Sequence, residues 1–301
     1  MIIPPFLKKG DTIAITATAR KISAQELENA VKTTESFGFK VKFADNLFNE
    51  HHQFAGHDEQ RCSDIQACIN DLEVKAILIA RGGYGTMRII DHIDFTPLFE
   101  NPKWIIGYSD VTVLHSTLHN YNLASLHATM PINFAKNEEA TSSLFHFLMG
   151  KKIKFDYDFS ASLNQSLYKI GSANAPVVGG NLSLLYAMQG SKSDIDTNGK
   201  ILFLEDLDEY LYHIDRMILS LKRAGKFDAL AGLIVGGMSD MKDNLVPFGQ
   251  TAQEIVAHHL RDKNYPICFD FPCGHIDRNL ALPIGLAANL EVKNNTVKLS
   301  Y

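Results

Sequence analysis

Residues 104–115 read WIIGYSDVTVLH, an unbroken apolar run that ends at Gly107-Tyr108-Ser109-Asp110 and gives way to a helical pattern. Apolar residues that do not alternate with polar ones suit a strand covered on both faces, as in a parallel sheet. The pattern predicts a strand over 104–108 running directly into a helix, with Ser109 in the turn between them. Such a turn holds a hydroxyl clear of the backbone. It also offers the N–H groups and positive dipole end of the next helix to a developing oxyanion. The segment resembles a nucleophile elbow, although Val111 stands where G-x-S-x-G has its second glycine. Ser and Asp are equally the ordinary residues of a helix N-cap, so both readings are open from this stretch alone.

Upstream, short β-branched runs alternate with helical patterns: a strand at 12–16, a helix at 23–37, a strand at 41–44, a helix at 58–72, and the apolar strand AILIA at 76–80. This is βαβ grammar, and it predicts an α/β domain over residues 1–150. Directly after AILIA comes Arg81-Gly82-Gly83-Tyr84-Gly85. Glycines at the carboxyl end of a sheet strand let backbone approach a ligand, and open α/β sheets bind at that edge. The loop can supply an N–H to an oxyanion, with Gly83 as donor, or cradle a phosphate, or form a plain tight turn. It lacks both the G-x-G-x-x-G order and the Lys-Ser/Thr of a P-loop.

Downstream, KKIKFDYDFSASLNQS changes character to alternating strand-like residues with polar turn formers. A linker is expected over 151–170 and a second domain over 171–301. That domain reads as β-rich and mixed, with a Gly-Gly-Asn turn into a helix at 182–188, a strand at 201–204, and further strands near 230–235, 266–269 and 297–301. An amphipathic helix from Leu211 places Leu211, Ile214, Met217, Ile218 and Leu221 on one face.

Two segments of the second half carry chemistry. ILFLEDLDEY delivers Glu205, Asp206, Asp208 and Glu209 just past an apolar strand. Carboxylates there are solvated turn residues, or they orient a histidine and stabilise its imidazolium, or with His213 they hold a metal. Glu205 is the first choice for the histidine partner and Glu209 the second. Residues 271–279, FPCGHIDRN, place His275 in a Pro/Gly-bounded loop. Its ordinary pKa of about 6.5 suits proton shuttling, while a lone loop histidine also reads as a surface residue.

Bulk properties exclude several classes. The 301 residues, 46% hydrophobic, supply cores for two domains. A net charge of -5 with mixed signs leaves no basic stripe, so no nucleic-acid partner is expected. Pro4, Pro5, Lys8 and Lys9 interrupt the N-terminal apolar runs, so neither a signal peptide nor a spanning helix is expected, and the protein reads as cytoplasmic with no membrane partner. Cys62, Cys68, Cys268 and Cys273 then read as packed thiols, and the last two have no second pair to complete a zinc site. His115 and His119 lie four apart, but Ser116 stands where H-E-x-x-H needs its Glu. His51, His52, His57, His258 and His259 carry no recognised ligand spacing. No metal and no cofactor is expected.

Taken together, the segments resemble the LD-carboxypeptidase family of serine peptidases over nearly the whole chain. The carrying pieces are FAGHDEQRCSDI at 54–65, ARGGYGTMRIID at 80–91, IGYSDVTVLH at 106–115, GGNLSLL at 179–185, LFLEDLDEYLYHIDRMILSL at 202–221 and CGHIDRNLALPIG at 273–285. The resemblance implies a Rossmann-like N-terminal domain, similar to class I glutamine amidotransferases, and a smaller β-rich C-terminal domain. It implies Ser109 as nucleophile, His275 as general base and then acid, Glu205 as the carboxylate holding the imidazole, and the N–H groups of Gly83 and Asp110 as the oxyanion hole. The implied reaction removes terminal D-alanine from murein tetrapeptides in peptidoglycan recycling, and a homodimer is implied as well; hydrolysis of other peptides or acyl-amino acids, microcin-type peptide-nucleotides among them, and noncatalytic ligand binding are the alternative readings. Arg81 and Tyr84 are candidate substrate-binding residues from position. Two departures stand out. His127-Ala128-Thr129-Met130 replaces the family's common His-Gly-Pro-Met. Trp104 is the sole tryptophan, whereas related microcin-immunity peptidases stack a nucleotide on tryptophans of a C-domain loop.

Overall fold

In the computed structural model, which describes residues 1–301, the apolar runs of the first half become neighbouring strands of one sheet. Its elements are β1 (Thr12–Thr16), α1 (Ala24–Ser36), β2 (Lys40–Phe43), α2 (Asp58–Asn70), β3 (Val74–Ile79), α3 (Thr86–Ile89), α4 (Pro97–Glu100), β4 (Trp104–Gly107), α5 (Thr112–Asn120), β5 (Ser125–His127) and α6 (Glu138–Leu148). The strands lie in the order β5-β4-β3-β1-β2 and every pairing among them is parallel. All of β4 and nearly all of β3 are buried, which is why WIIG and AILI show no alternation. The edge strand β2 is mostly exposed and correspondingly lysine-rich. A capping box between Ser23 and Glu26 starts α1.

The second half holds β6 (Lys154–Asp158), β7 (Gly171–Asn181), α7 (Leu182–Ala187), β8 (Ile201–Leu207), α8 (Leu211–Arg223), β9 (Gly232–Ser239), α9 (Ala252–His259), β10 (Ile267–Cys268), β11 (Leu282–Ile284), β12 (Ala287–Lys293) and β13 (Thr296–Ser300). Seven of its strands form a second sheet in the order β10-β9-β8-β7-β12-β13-β6, while β11 extends the first sheet beside β5. The second sheet is mixed because β7 serves two partners. Residues 171–176 run antiparallel to β12, and 177–181 run parallel to β8. On α8, Ile214, Met217, Ile218 and Leu221 are buried as the amphipathic spacing requires. The fold is thus α/β in the first half and β-rich and mixed in the second, as the sequence led us to expect.

The chain divides into two units, residues 1–151 with 277–283, and 152–276 with 284–301. This differs from the expected boundaries in two places. The stretch expected as a linker contains β6, which pairs with β13 and sends Phe155 and Tyr157 against Phe271. Its alternation of polar and apolar residues is that of an edge strand with one buried face, not of a connector. Residues 277–283 belong to the first unit. There Arg278 Nε and Nη2 each donate to Glu139 at 2.7 Å, and the Ala281 N–H donates to Ser143 Oγ at 2.9 Å. No helix is long and apolar enough to cross a membrane.

Candidate active site

After β4 the backbone turns at Ser109, whose φ of 64° lies in the left-handed region that L-residues avoid. Gly107 makes the turn possible, since a Cβ there would lie 2.7 Å from Val111 Cγ2. This also accounts for the valine in place of a second elbow glycine: buried Val111 folds back over Gly107. Neither Ser109 nor Asp110 caps α5 through its side chain. The Asp110 carboxylate instead accepts the Thr86 N–H at 2.8 Å, at the start of α3, and burial pushes its pKa up.

The glycine-rich loop after β3 runs against this turn. A Cβ on Gly82 would stand 2.9 Å from Ser109 Cβ and 3.0 Å from its Oγ, so only glycine leaves the hydroxyl its place. Gly83, at φ 123°, lies against the Arg20 stem. Gly85 approaches the loop after β1, where a Cβ would lie 2.8 Å from Ala19 Cα. Thr18 and Thr86 join these loops through their hydroxyls at 2.7 Å. Buried Arg61 braces the same corner, donating to Thr18 O at 3.1 Å, Gly56 O at 2.8 Å and Asp58 Oδ1 at 2.5 Å. Arg81 is engaged elsewhere, with Lys21 O at 3.2 Å and Glu26 Oε1 at 3.8 Å, and Tyr84 is exposed.

In the second unit, β8 delivers Glu205 and Asp206, both buried. The β8–β9 register shifts between Leu204 and Asp206, which takes Glu205 out of pairing with β9 while it stays opposite Asn181 of β7. Glu205 Oε2 accepts the His275 Nδ1 proton at 2.6 Å and the His275 backbone N–H at 3.1 Å. The histidine loop is tied to β9, with the Gly237 N–H donating to Cys273 O at 3.0 Å and Ser239 Oγ to His275 O at 2.6 Å. With Nδ1–H committed to Glu205, Nε2 is the nitrogen left for any proton exchange by the ring. The His275 side chain is 11% exposed. Burial pulls its pKa down, but the charge and hydrogen bond of Glu205 and the charge of Asp206 outweigh this, and the net shift is upward.

Behind the pair, Asp206 receives Asn181 Nδ2 at 2.8 Å, the Ser183 N–H at 2.9 Å and Ser183 Oγ at 2.8 Å. Burial, followed by the charge of Glu205, pushes Asp206 up to about 6. Glu209 faces another way, bonding His213 Nδ1 at 2.5 Å and Ser183 Oγ at 3.0 Å.

Ser109, Gly83 and Asp110 therefore belong to the first unit and Glu205 with His275 to the second. His115 is a buried structural residue: it bonds Ser125 Oγ at 2.8 Å and Gly107 O at 2.9 Å, and burial lowers it to about 4. His259 pairs with Asp215 at 2.7 Å. Trp104 is core, donating to Pro5 O at 3.1 Å. Sequence reasoning missed the parts played by Gly82, Arg61 and the Asn181–Ser183 cradle, and it named Asp206 only as one of four acids at the end of β8. For Asn181 the signal was present, since it lies in the quoted motif GGNLSLL as a polar residue among packed ones, whereas Arg61 sits in the mostly polar stretch HDEQRCSD and nothing local marks it as buried.

Residues 13–128 match the LD-carboxypeptidase N-terminal domain and 174–290 the LD-carboxypeptidase C-terminal domain. A probable murein peptide carboxypeptidase of Bacillus subtilis is 35% identical over 301 residues, covering 97% of this chain and 92% of that one. The crystal structure of a muramoyltetrapeptide carboxypeptidase from Oxalobacter formigenes matches with a TM-score of 0.86 at 26% identity, over 96% of this chain and 98% of that one. A microcin self-immunity protein shares the fold, with a TM-score of 0.87 at 21% identity over 100% of this chain and 99% of that one. With both domain models matched in order and a relative this similar across its length, the chain belongs to the LD-carboxypeptidase family.

Proposed function

We propose that the protein is a serine carboxypeptidase that hydrolyses the bond between the diamino acid and the terminal D-alanine of murein tetrapeptides. The names of the Bacillus subtilis and Oxalobacter formigenes relatives support this substrate class. Ser109 is the nucleophile, His275 the base and Glu205 its carboxylate partner. As Ser109 Oγ attacks the scissile carbonyl carbon, its proton passes to His275 Nε2. The carbonyl oxygen becomes an oxyanion that receives the N–H groups of Gly83 and Asp110. The imidazolium then protonates the leaving nitrogen, D-alanine departs, and water activated by the same imidazole clears the ester.

One observation carries these roles: the 2.6 Å bond from His275 Nδ1 to a buried carboxylate, which fixes the tautomer whose Nε2 accepts a proton. The enzyme acts on a small peptide in the cytoplasm as a homodimer. Its reaction calls on no metal, cofactor, nucleic acid or membrane.

The purified protein is expected to release D-alanine from murein tetrapeptide and to leave ordinary L-L peptides intact. Turnover of L-L peptides alone would remove the substrate assignment.

A further inference from the structure

We propose that Arg20 binds the terminal carboxylate of the peptide substrate; this deepens the function proposed above and rests on it. Arg20 follows β1, the glycine-rich loop follows β3 and Ser109 follows β4, and these strands are neighbours in the order β4-β3-β1. Because the three strands are parallel, all three loops leave the same edge of the sheet. The backbone of Arg20 is held by a bridge to Phe54, and the side chain is exposed.

Two adjacent glycines relate Arg20 to the nucleophile. A Cβ on Gly82 would stand 3.0 Å from Ser109 Oγ, and a Cβ on Gly83 would collide with Cγ and Cδ of Arg20. Consecutive Cα atoms lie about 3.8 Å apart, so the hydroxyl and the arginine stem flank a single peptide unit. In a substrate, three bonds join the scissile carbonyl carbon to the terminal carboxylate carbon, a span of at most roughly 4 Å. A carbonyl seated on Ser109 with its oxygen toward Gly83 thus carries the terminal carboxylate within the range of a guanidinium extending from Cδ.

The charge of Arg20 is uncommitted, unlike that of the cations around it. Lys21 pairs with Glu50 at 2.5 Å, Arg61 and Arg88 share Asp58, and Arg81 is taken by Lys21 O and Glu26. Arg20 makes no side-chain hydrogen bond or ion pair. A planar guanidinium matches a carboxylate through two parallel N–H···O bonds, which an ammonium cannot reproduce.

The test measures binding in the Ser109→Ala background, with murein tetrapeptide and its C-terminal amide as the two ligands. Arg20→Met is expected to weaken binding of the free acid about tenfold or more while leaving the amide unmoved, and Arg20→Lys to restore part of the loss. Equal weakening of both ligands, or none for the acid, overturns the assignment. Turnover by the parent enzyme separates the two levels. A parent that cleaves tetrapeptide while Arg20→Met cleaves it with unchanged KM removes Arg20 alone. A parent that neither binds nor cleaves tetrapeptide removes the proposed function and this assignment together.

Discussion

Glu205 receives both the backbone N–H and the Nδ1–H of His275 through a single oxygen, Oε2, at 3.1 and 2.6 Å. One atom therefore fixes the ring and the chain that carries it. The arrangement needs Gly274, because at φ 107° a Cβ there would lie 2.7 Å from Glu205 Cβ and 2.8 Å from Oε2. Side chain, backbone and glycine form one unit, and each can be tested separately.

Glu205→Gln keeps the shape of the carboxylate and removes its charge. The amide can present N–H to Nδ1 and so select the wrong tautomer, and kcat is expected to fall on the order of 10³- to 10⁴-fold. The pH profile gives a second readout. Glu205 helps hold the His275 pKa above its ordinary 6.5, and the base must be neutral to act, so activity in the parent rises along an acid limb above that value. Without the charge, the limb moves to lower pH. Glu209→Gln, whose carboxylate faces His213, is expected to leave both kcat and the limb nearly in place. A limb that moves with Glu209 and not with Glu205 would exchange their roles.

Ser109 occupies a backbone conformation that costs an L-residue of the order of 1 kcal/mol or more. Ser109→Ala and Ser109→Gly are both expected to abolish turnover. Only glycine relieves the strain, so Ser109→Gly should unfold in denaturant at a stability about 1 kcal/mol above Ser109→Ala. Equal stability of the two variants would show that the turn relaxes around alanine at no cost.

Gly274→Ala places a methyl group against Glu205 at a positive φ. The expected loss is about 1–3 kcal/mol of stability, together with a fall in kcat larger than any rise in KM, because the group displaced is the carboxylate that holds His275, the proposed base. A variant with normal kcat would mean that the loop has another way to seat His275.

Much of this was legible in the chain because burial removes alternation. Nearly all of β3 and all of β4 are buried on both sides of the sheet, so AILI and WIIG could be read as covered on both faces, and the turn at Ser109 followed. What was hidden depends on long-range pairing. The residues of β6 look strand-like, yet the stretch reads as a linker because its partner β13 lies far along the chain. Residues 277–283 join the first unit through Glu139 and Ser143, well over a hundred positions away. Four acids stood at the end of β8, and the register shift beside Glu205 decides which of them faces His275. No local pattern announces such a shift, since it arises where Gly236 and Gly237 of β9 make room for residues 273–276.

Asp110 is the clearest case of a residue whose type suggested one partner and whose position supplies another. An acid after Ser109 reads as a helix cap, yet its carboxylate crosses to Thr86, 24 residues upstream, at 2.8 Å. It thereby ties the turn that carries Ser109 to the loop that carries Gly83. Asp110→Ala leaves the Thr86 N–H buried without its acceptor, at a cost of about 1–3 kcal/mol, and frees the two loops to drift apart. Asp110→Asn keeps an oxygen for that N–H and spares the protein a buried carboxylate, whose ionised form burial disfavours. The asparagine variant is therefore expected to be the more stable of the two in urea and to keep most of kcat, while the alanine variant loses tenfold or more. If alanine and asparagine prove equally active, the carboxylate has no part in holding the oxyanion donors in register, and the backbone alone sets their spacing.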